Sequence, residues 1–336
     1  MAAYALGLGI GTHNSKGEWL EVFYPHPRLH PPAALAEVFE GRGPDTLTES
    51  ETEELATACV EAGDVQLADF AIRAAAADRP LVAIGLAEDR APDSVPAAYL
   101  KLHMLSHRLV KPHETDLTGI FSVLPNVAWT SDGAVSVDEL AERQLDARLR
   151  GEVLEVSCVD KFPKMSNYVV PPGVRLAHTA RVRLGAYVGE GTTVMHEGFI
   201  NFNAGSEGPA MIEGRISAGV FMGSDSDLGG GSSTMGTLSG GGNIIISVGK
   251  NCLIGANAGL GIPLGDRCTI ESGLYVTAGT KVVMLDAKGD AVETRAARSL
   301  QGMSDLLFRR NSLSGAVECL TNKTAVELNA ELHAHN

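Results

Sequence analysis

From Val170 to Val282 the chain repeats itself every six residues, and that period leaves few folds open. Val170, Leu176, Val182, Val188, Val194 and Ile200 stand six apart. The beat returns at Ile216, Met222 and Leu228, again at Val248, Ile254 and Leu260, and after a slip at Leu264, Ile270, Val276 and Val282. A helix repeats at 3.6 residues and a strand at 2, so neither produces this pattern. A short strand followed by a corner does. Three such hexads close a triangular turn of about 18 residues, which gives the region about six turns of a parallel coil. The aliphatic points to the coil axis, and a small residue after it permits the corner. Glycine follows the aliphatic at Gly189, Gly223, Gly229, Gly249, Gly255, Gly261 and Gly265. The composition agrees: 38 glycines but only 5% aromatics suit many tight corners and few bulky core side chains. Residues 201–209 and 234–243 are too polar and glycine-rich to continue a wall. Both are expected to leave the coil as loops, where a rigid scaffold commonly carries function.

The first half reads as mixed α/β. Helical spacing marks residues 31–40, 50–62, 65–77, 94–111 and 136–150, the last with Ser136 and Glu139 in capping-box order. Residues 81–86, 120–124 and 153–159 read as strands. Gly7, Gly9 and Gly11 miss the dinucleotide-loop spacing and read as a strand and turn. No catalytic motif is evident in this half. The expected organisation is an α/β N-terminal domain over 1–164, a left-handed parallel β-helix domain over 165–284, and a C-terminal segment over 285–336. In that last segment residues 285–298 read as a turn and short helix, residues 305–320 as strand-like, and residues 329–336 as a frayed end.

Totals restrict the partners. With 27 basic and 41 acidic residues the net charge is −14, and a nucleic-acid binder needs a basic face to displace counterions. Cys59, Cys158, Cys252, Cys268 and Cys319 are odd in number and scattered, so neither a disulfide framework nor a zinc knuckle is expected. A reducing cytoplasm fits them best. The segment 1–11 is apolar but lacks a basic stretch and makes a poor signal peptide. No apolar run of about 20 residues offers a membrane span.

Four strings carry a closer resemblance: GTTVMHEGFINFNAG (191–205), MIEGRISAGVFMGSDSDLGGGSSTMGTLSGGGN (211–243), LIGANAGLGIPLGD (253–266) and LFRRNSLSGAVE (307–318). Together they resemble the tetrahydrodipicolinate N-succinyltransferases over most of 160–320. The resemblance implies transfer of succinyl from succinyl-CoA to the amine of an opened cyclic dicarboxylate, in lysine and diaminopimelate biosynthesis, by a homotrimer. Its clefts would lie between parallel coils, each lined by two subunits.

The resemblance also assigns roles. Glu213 matches the family's catalytic glutamate, thought to form an acyl-anhydride. A carboxylate there could instead take the proton of the attacking amine. Without the family, Glu213 would also suit an exposed corner. Arg215 resembles a ligand-contacting arginine, and its guanidinium suits a carboxylate; in a strand it would share a face with Glu213. A surface ion pair is its plainer reading. Gly230 and Ser233 would let a thioester arm approach the backbone. Ala256, Glu271, Ser272 and Gly279 match positions along the CoA arm, and by themselves read as structural. Arg309, Arg310, Asn311 and Ser312 contain the chain's one RR pair and would face the CoA phosphates, against a solvated charged edge. Family members also carry a lysine before this segment. Here ETRAARSL offers Arg295 or Arg298.

His178 and His196, 18 residues apart, could stack on one face, but zinc chemistry of this kind needs three histidines and no third lies in the repeat. Some relatives hold Mg²⁺ on the trimer axis through a glutamate matching Glu197 and an aspartate whose place is taken here by Ala180. Two other readings compete: a hexapeptide-repeat N-acetyltransferase using acetyl-CoA, and a non-catalytic coil scaffold.

Overall fold

The computed structural model describes residues 3–236 and 244–321. Their contacts divide the chain into two compact units, one of 1–104, 114–163 and 167–169, the other of 105–113, 164–166 and 170–336.

In the first unit the strand Ala5–His13 lies between Trp19–Phe23 and Leu81–Leu86, antiparallel to both. Gly7 and Gly9 are strand positions: a β-carbon on Gly7 would come within 2.7 Å of the Tyr24 ring, and one on Gly9 within 2.4 Å of Val22. Their lack of side chain admits the buried Tyr24. Helices Glu49–Glu61 and Val65–Ala75 bury Leu55, Cys59, Leu67 and Ala71 against Leu6, Leu8 and Phe39. The capping box stands at Thr48 and Glu51 and closes in both directions.

Two expectations fail here. Ser136 ends the strand Gly133–Ser136, paired with Val127–Thr130, and so cannot cap a helix. Glu139 instead accepts from the backbone N–H and hydroxyl of Ser15, at 2.7 and 2.6 Å, and the helix Leu140–Leu149 has no side-chain cap. Residues 120–124 form no strand. Gly119, at φ +75°, starts a single helical turn, Ile120–Val123. A short apolar run carries no readable period, so local backbone geometry decided it.

The second unit is the coil, with three walls of parallel strands. The first wall stacks Arg175–Leu176, Thr192–Val194, Ala210–Ile212, Asp227–Leu228, Leu253–Ile254 and Thr269–Ile270. The second stacks Phe199–Ile200, Arg215–Ile216, Ser233–Thr234, Gly259–Gly261 and Tyr275–Thr277. The third stacks Ala186–Val188, Ala204–Ser206, Phe221–Met222 and Ser247–Val248. The periodic aliphatics from Val182 to Val282 are buried along the axis. Val170 is not part of this column: it is 64% exposed, and Leu176 is only partly covered.

Residues 201–209 do not leave the coil. Ser206 occupies the inward position of the third wall, fully buried, with its hydroxyl accepting from Gly208 N at 3.2 Å. A hydroxyl satisfied by its own turn replaces an aliphatic at little cost. The true slip comes later, where Ile212 and Ile216 take successive inward positions only four residues apart. Of the second expected loop, Thr234 is again an inward strand residue, while 237–243 lie outside the described residues.

The segment 105–113 straps the third wall. Ser106 Oγ donates to Ala186 O, Arg108 Nε donates to Val188 O at 2.6 Å, and the Lys111 ammonium meets Glu207 at 2.9 Å. Beyond the last coil the expected short helix is replaced by a hairpin of Lys281–Leu285 and Ala291–Ala296. Asp286 folds its turn by accepting from Lys288 N and Asp290 N. A single 3₁₀ turn, Ala297–Leu300, follows. Strands Leu306–Arg310 and Val317–Thr321 extend the first wall as a second hairpin. Residues 329–336 lie outside the described residues.

Candidate active site

The coil passes from its first wall to its second at one corner, which repeats down the unit. Two backbone ladders fix it. On the near side Met195 N, Glu213 N, Gly229 N, Gly255 N and Glu271 N donate to the next coil, at Ile212 O, Leu228 O, Ile254 O, Ile270 O and Phe308 O. On the far side Phe199 N, Arg215 N, Ser233 N and Gly259 N donate to Gly214 O, Ser232 O, Ala258 O and Leu274 O. Between the ladders lie Met195–His196–Glu197, then Glu213 alone, then Gly229–Gly230–Gly231, Gly255–Ala256–Asn257 and Glu271–Ser272–Gly273. The corner at Glu213 is therefore two residues shorter than its neighbours, and it leaves a notch. The four-residue step from Ile212 to Ile216 is the cause.

Glu213 forms the floor of that notch. Its Oε2 lies 3.5 Å from the point a β-carbon on Gly230 would occupy. No hydrogen bond or ion pair engages its carboxylate among the described residues. Below it the corner is nearly bare backbone. A β-carbon on Gly229 would come within 2.7 Å of Ala256 N, and one on Gly255 within 2.6 Å of Ser272 N. These coils stack too closely for a side chain there. Asn257 N donates to Gly230 O, and Gly273 N to Ala256 O, both at 2.8 Å. With coils about 4.8 Å apart, the groove from Glu213 to Arg310 runs roughly 19 Å.

At its far end Glu271 Oε2 accepts from Arg310 N at 2.7 Å. Arg309 Nε and Asn311 Nδ2 both donate to Glu318, at 2.9 and 2.7 Å. Those contacts, the Asn311 hydrogen bond foremost, hold the Glu318 carboxyl below its usual range. The Asn311 side-chain oxygen accepts from Leu313 N and Ser314 N, which shapes the turn carrying the exposed Ser312.

The fold thus gathers Glu213, Gly230, Ala256, Glu271, Ser272 and Arg310 on one corner. Arg215 does not share a strand face with Glu213, because the chain turns between them. It stands exposed on the second wall, in register with Phe199 on one side and Ser233 on the other. Gly279 lies in the turn between Thr277 and Thr280, off this corner, with open space around it. Glu318 escaped the sequence reading. Its signal was an acid and a base flanking a turn-forming NSLSG, since the hairpin places Arg309 opposite Glu318.

His178 and His196 do stack, with rings 5.2 Å apart and nearly perpendicular. Glu197 lies 3.4 Å from His196 Nδ1 and 3.9 Å from Arg181, and Ala180 offers no side-chain oxygen. Among the described residues no three His, Cys, Asp or Glu side chains cluster to hold a metal.

A three-walled hexapeptide coil with a carboxylate in a backbone-lined groove is the architecture of the hexapeptide-repeat acyltransferases. The family model "Hexapeptide repeat of succinyl-transferase" matches residues 245–278, and "Tetrahydrodipicolinate N-succinyltransferase middle" matches 124–164. The chain is 62% identical to the 2,3,4,5-tetrahydropyridine-2,6-dicarboxylate N-succinyltransferase of Pseudomonas putida, covering 99% of this chain and 98% of that protein. It is 59% identical to the enzyme of that name from Vibrio cholerae, over 100% of both. A Campylobacter jejuni crystal structure described as a putative 2,3,4,5-tetrahydropyridine-2-carboxylate N-succinyltransferase superposes with a TM-score of 0.87 at 32% identity, covering 97% of this chain and 94% of that one. The chain belongs to the 2,3,4,5-tetrahydropyridine-2,6-dicarboxylate N-succinyltransferase family, and its coil is the left-handed parallel β-helix of that family.

Proposed function

We propose that the protein transfers succinyl from succinyl-CoA to the amine of tetrahydrodipicolinate in its open form, L-2-amino-6-oxopimelate, on the route to diaminopimelate and lysine. The observation that carries this reading is the single-residue corner, which leaves the Glu213 carboxylate beside the glycine-lined end of the groove. An extended thioester arm fits such a groove, because Gly230 and Gly231 present accessible backbone without a side chain beside Glu213. The amine attacks the thioester carbonyl, the C–N bond forms, the C–S bond breaks, and the thiolate leaves. The amine must first lose a proton, and Glu213 is placed to take it. The same carboxylate could accept the acyl group first, as an anhydride. A burst of thiol from succinyl-CoA alone distinguishes the second course from the first.

Arg215 and Ser233, side by side on the second wall, suit the succinyl carboxylate and thioester carbonyl. Ala256, Glu271, Ser272, Gly279 and the segment Arg309–Ser312 are assigned to the CoA arm and phosphates. A homotrimer would complete each groove with a neighbouring coil, and the cytoplasm, where succinyl-CoA is made, is the expected location. No helix among the described residues is long and apolar enough to cross a membrane.

An acyl-CoA panel followed by free-thiol release tests the reading. Succinyl-CoA should exceed acetyl-CoA in kcat/KM by at least about tenfold, and Glu213→Gln should lower kcat by about 10²–10⁴-fold with unchanged circular dichroism. Equal turnover of acetyl-CoA favours an acetyltransferase, and an unaffected Glu213→Gln variant removes Glu213 from the chemistry.

A further inference from the structure

The outward positions of the second wall form one column down the coil: Phe199, Arg215, Ser233, Gly259 and Tyr275, each in register with the next. The alternate residues Ile200, Ile216, Thr234, Leu260 and Val276 point to the axis and are buried. Arg215 and Ser233 hold the upper part of the column, where the succinyl end and the thioester are assigned. Directly below Ser233 the column carries no side chain of its own. Gly259 stands there, and the Tyr275 ring covers it. A β-carbon on Gly259 would fall 2.0 Å from both Cδ1 and Cε1 of that ring, and the three atoms nearest the point all belong to it. Gly259 lies outside the left-handed region, so its backbone does not ask for glycine. The ring does. Tyr275 is thus laid back along the wall onto the preceding coil, with 51% of its surface still exposed.

The column runs beside the groove. Ser233 follows Gly230 by three residues, Gly259 follows Ala256 by three and Tyr275 follows Ser272 by three, so each coil presents one corner residue and one wall residue to the same strip. The ring therefore borders the groove on its second-wall side, one coil step, or about 4.8 Å, below Ser233. An arm that leaves a thioester at Ser233 and runs toward Arg310 meets the ring first. The pantetheine arm of CoA is uncharged, a chain of methylenes and two amides ending in a gem-dimethyl carbon, and a half-exposed aromatic face is a surface against which such a chain packs. We propose that Tyr275 is a donor-binding residue whose ring, seated on Gly259, forms the side of the groove and packs against the pantetheine arm next to the thioester. The proposal rests on the succinyl-transfer reading above and adds the surface that holds the middle of the donor.

The test is steady-state thiol release on the full chain, with succinyl-CoA and with S-succinylpantetheine, which keeps the arm and thioester but lacks the nucleotide. Tyr275→Ala should raise the KM of both donors about five- to tenfold. Its kcat and acceptor KM should stay within about twofold, the pattern of a lost contact made equally in ground and transition states. Tyr275→Phe keeps the ring and should remain near wild type. Gly259→Ala puts a methyl where the ring lies and drives it off the wall, so it should reproduce the Tyr275→Ala effect, and the double variant should be no worse than either single change. An unchanged donor KM, additive effects in the double variant, or a rise confined to succinyl-CoA overturns the proposal. So does a smaller sedimenting species with both substrate KM values raised together, which would place Tyr275 in a subunit contact. If the wild-type protein shows no acceptor-dependent thiol release, the succinyl-transfer reading falls and Tyr275 with it. Normal wild-type release with an unaffected Tyr275→Ala variant removes Tyr275 alone.

Discussion

Glu213 and Gly230, seventeen residues apart, meet across one corner of the coil: the glutamate Oε2 stands 3.5 Å from where a β-carbon on the glycine would be. The contact exists because one corner has a single residue and the next has three. It leaves the carboxylate beside open backbone.

That relationship makes Gly230→Ala informative. Gly230 does not occupy the left-handed region, and the added methyl meets only ordinary van der Waals contact, so the fold should accept it. The melting temperature should change by less than about 2 °C. The methyl would stand where a thioester must pass, and the succinyl-CoA KM should rise about tenfold or more while the acceptor KM changes little. Equal effects on both substrates would contradict a donor groove at Gly230.

Glu318 holds two of the residues assigned to the cofactor. Glu318→Ala removes the hydrogen bonds that fix Arg309 and Asn311. Arg309 is nearly half exposed, so its share is small, and a loss of about 1–2 kcal/mol is expected. The succinyl-CoA KM should rise about fivefold with kcat nearly constant. Denaturant melts and steady-state kinetics check both effects.

Glu21 provides a pH-dependent term in the first unit. Burial raises its pKa, against the hydrogen bonds it accepts from Thr12 at 2.7 Å and Tyr168 at 3.1 Å. A raised folded-state pKa means that the protonated form stabilises the fold. That contribution is complete below the unfolded value and is lost as pH rises through the folded one. Glu21→Gln, neutral at every pH, should therefore raise the melting temperature relative to wild type at pH 8, by about 2–4 °C, and lose the advantage near pH 4. A constant difference across that range would show that ionisation of Glu21 is not responsible.

The helices at residues 50–62 and 65–77, the strand at 81–86 and the coil itself were legible because each buries a periodic face. Residues 120–124 and 285–298 were not, since short segments carry too little period to choose between a helical turn and a strand. Ser206 and Thr234 lie in segments whose polarity reads as an exit from the coil. Their hydroxyls are satisfied by the turn or by the neighbouring coil, at Gly208 N and Arg215 O, and a residue-by-residue polarity scale cannot register such partners.

By itself the sequence determined the coil, because an aliphatic at every sixth position excludes water only when the chain winds in three-sided turns. Through its family strings it also marked Glu213 and the residues of the groove. The tertiary structure alone decided how those residues meet: that the corner at Glu213 is cut to one residue, that Arg215 turns onto the next wall, and that Glu318 ties down Arg309 and Asn311. The reason is register. Which residues face each other across a corner depends on how many residues every preceding turn contains, and that sum becomes a distance only when the coils stack.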